Sequence, residues 1–353
     1  MIIGACGFGS TGSSAVTDYL KEYDSFQVMD KIEFTWVSSV DSLIDLDFHL
    51  NHPHNRTADS IYSIERYKLF CEKYAKVITR AGISEDVFME SVNIFLDSII
   101  QTSWKWDKPS FKPDSFVQKL VKYILYRFNL IPRWQVRNGK QWEWYPYSDV
   151  FLSVNPQDFD QKAQKHVMDI INVFAHNLEA KPLILDQPFP GNNPQSCFKF
   201  FVDPYAIVVD RDPRDNYVFG KTKLLTKSFS NLMPLNNVKD FVTYYRALRK
   251  DQPYTVPNNR VLSLKFEDLV YHYEDATQKI RDFLHLPDNP NPKSIFDPAI
   301  SMPNTQVWKR FPQFAEDIAY IERELPEYLF DYTGCPEPDP NGKMFVGKSP
   351  KNV

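Results

Sequence analysis

Hydrophobic and polar positions along this 353-residue chain follow two different spacings. Short, largely apolar runs occur at five places, and all but the last are followed directly by glycine or aspartate; they cover residues 1–3, 26–29, 183–185, 205–209 and 261–265. Runs of this length and character are typical of strands that are buried on both faces. The sequence therefore predicts five strands of one buried, parallel sheet.

The intervals between these runs carry apolar residues at helical spacing. This periodicity predicts a helix from Ser14 onward, helices over 61–79, 85–100, 115–128, 155–178 and 275–284, and a last helix that ends near Phe330. Strands that alternate with helices favour a parallel sheet with helices on both faces and a site at the carboxyl ends of the strands. We expect a single domain over 1–353, with the mostly helical, aromatic-rich stretch at about 60–180 as an insertion.

The first strand leads into a glycine-rich loop, since residues 1–15 read MIIGACGFGSTGSSA. A strand followed by such a loop and a helix is the geometry that cradles a phosphate with backbone N–H groups. Gly7 and Gly12 enclose four residues, which is Walker A spacing with Ser13 in place of the lysine. The sequence thus predicts a P-loop-like three-layer α/β fold whose binding loop comprises Gly9, Ser10, Thr11, Gly12, Ser13 and Ser14.

Composition narrows the class of protein. A hydrophobic content of 43% is enough for a substantial core, and a net charge of −4 argues against a general nucleic-acid binder. The four cysteines are scattered without metal-ligand spacing, which indicates free thiols in a reducing compartment. The sequence shows neither a signal peptide nor an apolar run long enough for membrane insertion, so we expect a cytoplasmic protein.

Three segments together resemble the PAPS-dependent sulfotransferases, in particular the carbohydrate type; they read GFGSTGSSA, IVVDRDPRD and VLSLKFEDLVYHYEDATQKIRDFLHL. The resemblance covers residues 1–20, 183–217 and 261–310 and hardly touches 35–180. It implies the donor PAPS (3′-phosphoadenosine 5′-phosphosulfate) and an acceptor hydroxyl, and it favours a carbohydrate as the acceptor. It also implies that the loop binds the 5′-phosphosulfate and that Arg211 binds the 3′-phosphate.

Two positions depart from the family pattern. Ser10 stands where the family usually has lysine or arginine, and Phe219 stands eight residues after Arg211, where the family often has serine. Lys221 and Thr222 lie close enough in sequence to substitute, and Lys309 and Arg310, in the loop after Trp308, are further candidates. An altered donor site and an inactive homologue both remain open at this point.

Sulfuryl transfer to a hydroxyl needs a general base at a strand end that faces the loop. Related carbohydrate sulfotransferases resemble this chain in placing a glutamate shortly after the second strand, where Glu33 stands. Asp186 is the second candidate, because other members have a histidine near this position. We expect the second strand to lie beside the first, with Glu33 facing the loop, and the strand of Asp186 to lie next to the strand that ends at Arg211.

Two other functions stay open from the residues alone. A P-loop kinase that uses ATP is one, because Asp210 follows an apolar strand as a Walker B acid does, although Ser13 replaces the lysine that reaches the phosphates. A non-catalytic module that binds a nucleotide or a glycan is the other. We predict no metal site, since the closely spaced His49, His52 and His54 are more typical of a solvated polar loop.

Five of the seven tryptophans fall between residues 104 and 144. Their ring faces can stack on sugar rings, with Arg133, Arg137 and Lys140 available for an anionic glycan. The alternative is that most of these rings form the core of a helical cap.

Overall fold

The computed structural model describes residues 1–106, 115–128, 148–175, 177–178, 181–222, 233–250 and 259–344. The chain divides into two compact units, the first made of Met1–Ser38 and Ile171–Val353 and the second of Ser39–Ile170. The predicted insertion at about 60–180 falls largely in the second unit. That the whole chain forms a single domain carrying this insertion stays a prediction.

The elements follow one another in chain order. They are β1 (Ile2–Gly7), α1 (Ser14–Leu20), β2 (Gln27–Met29), α2 (Leu43–Asn51), α3 (Arg56–Ile78), α4 (Glu85–Ile99), β3 (Thr102–Trp106), α5 (Phe116–Arg127), β4 (Ser148–Leu152), α6 (Phe159–Phe174), β5 (Leu183–Asp186), β6 (Pro204–Asp210), α7 (Pro213–Thr222), α8 (Val238–Arg249), β7 (Val261–Lys265), α9 (Phe266–Tyr271), α10 (Tyr273–Leu284), α11 (Pro298–Ser301) and α12 (Ala315–Glu324).

The first unit contains the predicted five-stranded sheet, in the order β2-β5-β1-β6-β7. All four neighbouring pairs are parallel, which confirms the α/β class with a central five-stranded parallel sheet. The expected lateral order was wrong in two respects, because β5 lies between β1 and β2, and β1 separates β5 from β6, the strand that leads to Arg211. Asp186, at the end of β5, is therefore one strand from β1, and Glu33, which follows β2, is two strands from it. Local periodicity identifies a strand but carries no information about its neighbours.

Both faces of the sheet are covered. Ile2, Ile3, Ala5 and Cys6 point alternately to opposite faces of β1, and none is more than 1% exposed. One core cluster joins β1 to α1, α9 and α10, and its members include Ile3, Ala5, Val16, Leu269 and Ile280. A second cluster unites α7, α8 and α12 through residues such as Tyr217, Phe241 and Ile321. Burying each such side chain contributes about 1.5–3 kcal/mol to stability.

The second unit differs in three places from the elements that the sequence predicts. Thr102–Trp106 and Ser148–Leu152 pair as an antiparallel ribbon within a stretch that was expected to be mostly helical. The predicted helix over 155–178 begins only at Phe159, because Asn155 and Asp158 both have left-handed backbone, with φ of +44° and +57°. His49 lies on α2 rather than in a loop, and His52 follows directly after that helix.

Side-chain caps determine where two helices of the second unit, α3 and α4, begin. Ser84 Oγ accepts a hydrogen bond from the Val87 N–H at 3.3 Å, so α4 begins where the sequence predicts. Asn55 Oδ1 accepts from the Ala58 N–H at 3.0 Å, which moves the start of α3 to Arg56, ahead of the predicted residue 61. Across the ranges described above, no helix is both long enough and apolar enough to span a bilayer.

Candidate phosphate-binding and active site

The loop between β1 and α1 has a backbone that depends on its glycines. Gly9 and Gly12 have φ of +80° and +91°, in the left-handed region that favours glycine, and Ser10 between them has φ of +57°. A Cβ at Gly12 would lie 2.5 Å from Cδ2 of the buried Phe266 ring. Glycine at position 12 therefore allows both the turn of the loop and its contact with α9.

The loop holds a set of unused hydrogen-bond donors. Within the residues that the structure describes, the backbone N–H groups of Gly9, Ser10, Thr11, Gly12 and Ser13 donate to no acceptor. Thr11 and Ser13 are buried, and the other three are half-buried. Because buried N–H groups are almost always paired, these donors need an acceptor other than the described residues, such as water or an anionic ligand. Successive N–H groups of this kind form the concave nests that bind anions.

Two side chains that follow β6 hold loop carbonyls. Arg211 Nη1 donates to the Ser10 carbonyl at 3.2 Å, and Asn216 Nδ2 donates to the Gly9 carbonyl at 3.3 Å. In a trans peptide unit the C=O and N–H point in opposite directions. The N–H groups of Ser10 and Thr11 therefore point away from Asn216 and Arg211 respectively. Asn216 was missed in the sequence because its amide acts on a residue more than two hundred positions earlier.

Arg211 is 3% exposed and lies at the centre of several contacts. Besides the Ser10 carbonyl, its guanidinium donates to the carbonyl of Asn304. The guanidinium carbon lies 5.2 Å from the centre of the Phe219 ring and 5.3 Å from that of Phe266, as in cation–π pairs. Its Nε–H makes no hydrogen bond to any described residue. The phenylalanine that departs from the family pattern thus supports the arginine, and Arg211 keeps a buried donor unpaired.

The two predicted base residues follow neighbouring strands, β2 and β5. Burial, followed by the negative charges of Glu33 and Asp30, raises the pKa of Asp186 from 3.8 to about 7. Lys21 opposes this rise only partly, because it is paired with Asp18 at 2.9 Å and with Asp30. Glu33 itself is exposed, and its neighbour Phe34 donates a backbone hydrogen bond to the Asp186 carbonyl at 2.7 Å. The structure therefore brings Glu33 and Asp186 within electrostatic reach of each other.

Gln187, directly after Asp186, is a site residue that the sequence reading did not include. Its side-chain amide contacts the loop at both of its ends. The signal available in the sequence was its position, immediately after a strand end. Its contact partners at the first strand could not be read from the sequence.

Asp215, four residues after Arg211, binds a distant segment of the chain through its carboxylate. Asp215 accepts backbone N–H groups from Gln306 at 2.8 Å and Val307 at 2.6 Å, and it accepts the Tyr332 hydroxyl at 3.1 Å. Burial raises the pKa of Asp215 and of Glu267, and the nearby charge of Asp212 raises both further. Through its backbone contacts Asp215 holds residues 306–307, which follow Asn304, the partner of Arg211.

Lys309 and Arg310 make their contacts with the C-terminal segment. Lys309 Nζ lies 2.6 Å from a Glu337 carboxylate oxygen. Arg310 donates to the carbonyls of Gly342 at 3.0 Å and Asp339 at 2.6 Å. The structure does not bring these two side chains to the loop through any contact among described residues, and their predicted role in donor binding stays a prediction.

The acid that resembles a Walker B residue is already engaged. Asp210 accepts from Arg249 Nε at 2.8 Å and from the Arg211 backbone N–H at 2.8 Å. Ser13, at the position of the Walker A lysine, accepts a hydrogen bond from Gln187. Ser13 therefore lacks the ammonium group that reaches the phosphates in a P-loop kinase, and the Asp210 carboxylate is paired with Arg249.

Two further predictions concern the closely spaced histidines and the tryptophan-rich segment. The His52 ring stacks on Phe48 with centroids 5.5 Å apart, and the described ranges contain no group of three or more His, Cys, Asp or Glu side chains placed to hold a metal ion. Arg133, Arg137 and Lys140, with three of the five clustered tryptophans, lie outside the described residues, so their glycan-binding role stays a prediction.

Comparisons with known proteins add an independent result. A family model described as "Sulfotransferase family" matches residues 65–290, more than half of the chain. That range contains Asp186, Gln187 and Arg211 and leaves out the loop and Glu33. No curated protein matches the sequence.

Two solved structures are similar to this chain at low identity. One is a sulfotransferase domain from the curacin biosynthetic pathway, 14% identical, covering 82% of this chain and 75% of its own, with a TM-score of 0.33. The other is the sulfotransferase STF9 from Mycobacterium avium, 13% identical, covering 91% and 76%, with a TM-score of 0.34. At these scores neither structure bears on substrate or mechanism.

Proposed function

Because the chain belongs to the sulfotransferase family, we propose that it transfers a sulfuryl group from PAPS to a hydroxyl of a carbohydrate acceptor. The observation that carries the proposal is a set of five backbone N–H groups over Gly9–Ser13, at the carboxyl end of the central strand, that donate to no acceptor among the described residues. Donors that are already in place when negative charge develops are a main source of rate enhancement. The donor, when bound, supplies the sulfuryl group and a phosphate leaving group.

The residues divide between the two ends of the donor. The N–H groups of Gly9–Ser13 and the hydroxyl of Ser14 would bind the 5′-phosphosulfate. Arg211 donates to the Ser10 carbonyl and so approaches the loop from the side opposite to the Thr11 N–H. It would bind the 3′-phosphate through its Nε–H, which makes no hydrogen bond to any described residue. The planar guanidinium suits a phosphate because it can donate two parallel hydrogen bonds. Lys309 and Arg310 would contribute positive charge after release from the C-terminal segment.

Asp186 and Glu33 would act on the acceptor. The acceptor oxygen attacks sulfur, the bond from sulfur to the 5′-phosphate oxygen breaks, and the acceptor proton passes to a carboxylate. The order of the strands and a pKa of about 7 favour Asp186 as that carboxylate, with burial and then the charge of Glu33 keeping the pKa of Asp186 high. The resemblance alone favours the opposite assignment, with Glu33 as base, and mutation separates the two.

The acceptor class is tested by turnover. The full chain is incubated with PAPS labelled in the sulfuryl group and with panels of carbohydrates, simple phenols and tyrosine peptides. We expect label in the carbohydrate fraction, and none when adenosine 3′,5′-bisphosphate is added in excess. Labelling of phenols or peptides alone would refute the carbohydrate acceptor. The absence of transfer to every panel, with intact donor binding, would favour a non-catalytic module.

A further inference from the structure

Gln187 contacts both ends of the phosphate-binding loop, here defined as residues 7–13. Its Oε1 accepts a hydrogen bond from the Gly7 N–H at 3.1 Å. Its Nε2 donates to Ser13 Oγ at 2.8 Å. A single amide therefore ties the first residue of the loop to the last.

The backbone of Gln187 is held in an uncommon conformation. Its φ is +53°, in the left-handed region that glutamine rarely adopts, and its N–H donates to the Ala5 carbonyl at 2.9 Å. Four residues later, a Cβ on Gly191 would lie 2.5 Å from the Gly7 carbonyl oxygen. Residues 187–191 thus pack directly against the point where β1 becomes the loop, and this packing fixes the direction of the Gln187 side chain.

We propose that Gln187 is a positioning residue for the donor: it holds Gly7 and Ser13 so that the N–H groups between them remain available to the 5′-phosphosulfate. This inference rests on the proposed function. A loop with five unpaired donors tends to relax and pair them, unless its ends are fixed. An amide is suited to this task because it accepts at one end and donates at the other. It also brings no negative charge close to an anionic ligand.

The first test replaces Gln187 with methionine, which has similar length and makes no comparable hydrogen bonds. Gln101→Met is the matched control, because Gln101 also makes two amide contacts, donating to the Val154 carbonyl at 3.0 Å and accepting its N–H at 3.1 Å, but in the second unit. We expect Gln187→Met to weaken binding of adenosine 3′,5′-bisphosphate about tenfold and to raise the KM for PAPS similarly. Gln101→Met leaves both unchanged at a comparable Tm.

A double-mutant cycle asks whether Gln187 acts through Ser13. We expect Gln187→Met and Ser13→Ala to have non-additive effects on bisphosphate affinity, because they remove the same contact. Gln101→Met and Ser13→Ala should have additive effects. If Gln187→Met fails to fold, Gln187→Glu decides, since it keeps an acceptor for the Gly7 N–H and places a negative charge beside the loop. Its bisphosphate affinity should then fall more at low salt than at high salt.

The outcomes separate this inference from the proposed function. A wild-type protein that does not bind the bisphosphate overturns the proposed function. A wild-type protein that binds it, with equal binding by Gln187→Met or with additive effects in the Ser13 cycle, overturns the positioning role and leaves the proposed function standing.

Discussion

Replacing Gly12 with alanine perturbs the phosphate-binding loop in a way whose size follows from the structure. Gly12 has φ of +91°, and a Cβ there would lie 2.5 Å from Cδ2 and 3.0 Å from Cγ of Phe266. Carbon atoms in contact are normally about 3.5–4.0 Å apart. The loop or the ring must therefore move by about 1 Å, and the Phe266 ring is buried against the Arg211 guanidinium.

Gly82 provides a control with the same backbone but no crowding. Its φ is +88°, and a Cβ there would meet no atom within 4 Å. Left-handed backbone costs an alanine about 1–2 kcal/mol at either position. Overpacking adds about 1–3 kcal/mol at Gly12. We therefore expect Gly12→Ala to reduce the free energy of unfolding by about 2–5 kcal/mol and Gly82→Ala by about 1–2 kcal/mol, as measured by urea denaturation.

Donor binding should separate the two variants further. Because a shift of about 1 Å in a binding loop can cost up to about 100-fold in turnover, we expect Gly12→Ala to lose most of its kcat/KM for PAPS and Gly82→Ala to keep it. Adding Phe266→Leu to Gly12→Ala makes room for the methyl group and should restore part of the affinity for the bisphosphate. Equal stability and equal donor binding in the two alanine variants would refute this account of the loop.

Asp186→Asn should lower kcat by about 10²–10⁴-fold and abolish the rise in rate expected as pH increases through about 7, whereas Glu33→Gln should move that rise to lower pH; a collapse in Glu33→Gln with full activity in Asp186→Asn would exchange their roles. The raised pKa also makes Asp186 destabilising as pH rises from about 4 to about 7, so urea titrations should find Asp186→Asn more stable than wild type by about 2–4 kcal/mol at pH 8 and no more stable at pH 3. Arg211→Lys keeps the charge but not the planar fork, and calorimetry should give a loss of about 2 kcal/mol for the bisphosphate, with little loss for AMP. Equal losses for the two nucleotides would remove Arg211 from the 3′-phosphate.

The sequence predicted those parts of the fold that depend on local pattern. The five apolar runs became five parallel strands, and the three central ones, β1, β5 and β6, are largely buried on both faces. The ribbon of Thr102–Trp106 and Ser148–Leu152 was missed because its two strands are far apart in sequence and pair only with each other. The place of β5 between β1 and β2 was missed for a related reason, since lateral order is set by long-range packing.

The candidate site divides in the same way. Residue type and spacing were enough to predict a phosphate-binding role for the glycine-rich loop and Arg211; the structure brings the two into contact, and the role stays a prediction. The contacts of Gln187 and Asn216 could not be predicted, because each is made with a carbonyl, hydroxyl or N–H group near the other end of the chain. For Lys309, residue type alone predicted a contact with the sulfuryl donor PAPS. In the structure its ammonium group instead contacts Glu337, 28 residues later.

The most direct test of the central claim is calorimetric titration of the full chain with adenosine 3′,5′-bisphosphate, AMP and ATP with Mg²⁺, each also measured in the presence of a metal chelator. The N–H groups of Gly9–Ser13, which have no acceptor within the described ranges, and the buried guanidinium of Arg211 predict that the bisphosphate binds at least about tenfold more tightly than AMP. They also predict that chelation leaves bisphosphate binding unchanged. Tighter binding of ATP that requires Mg²⁺, or no preference for the bisphosphate over AMP, would contradict the account.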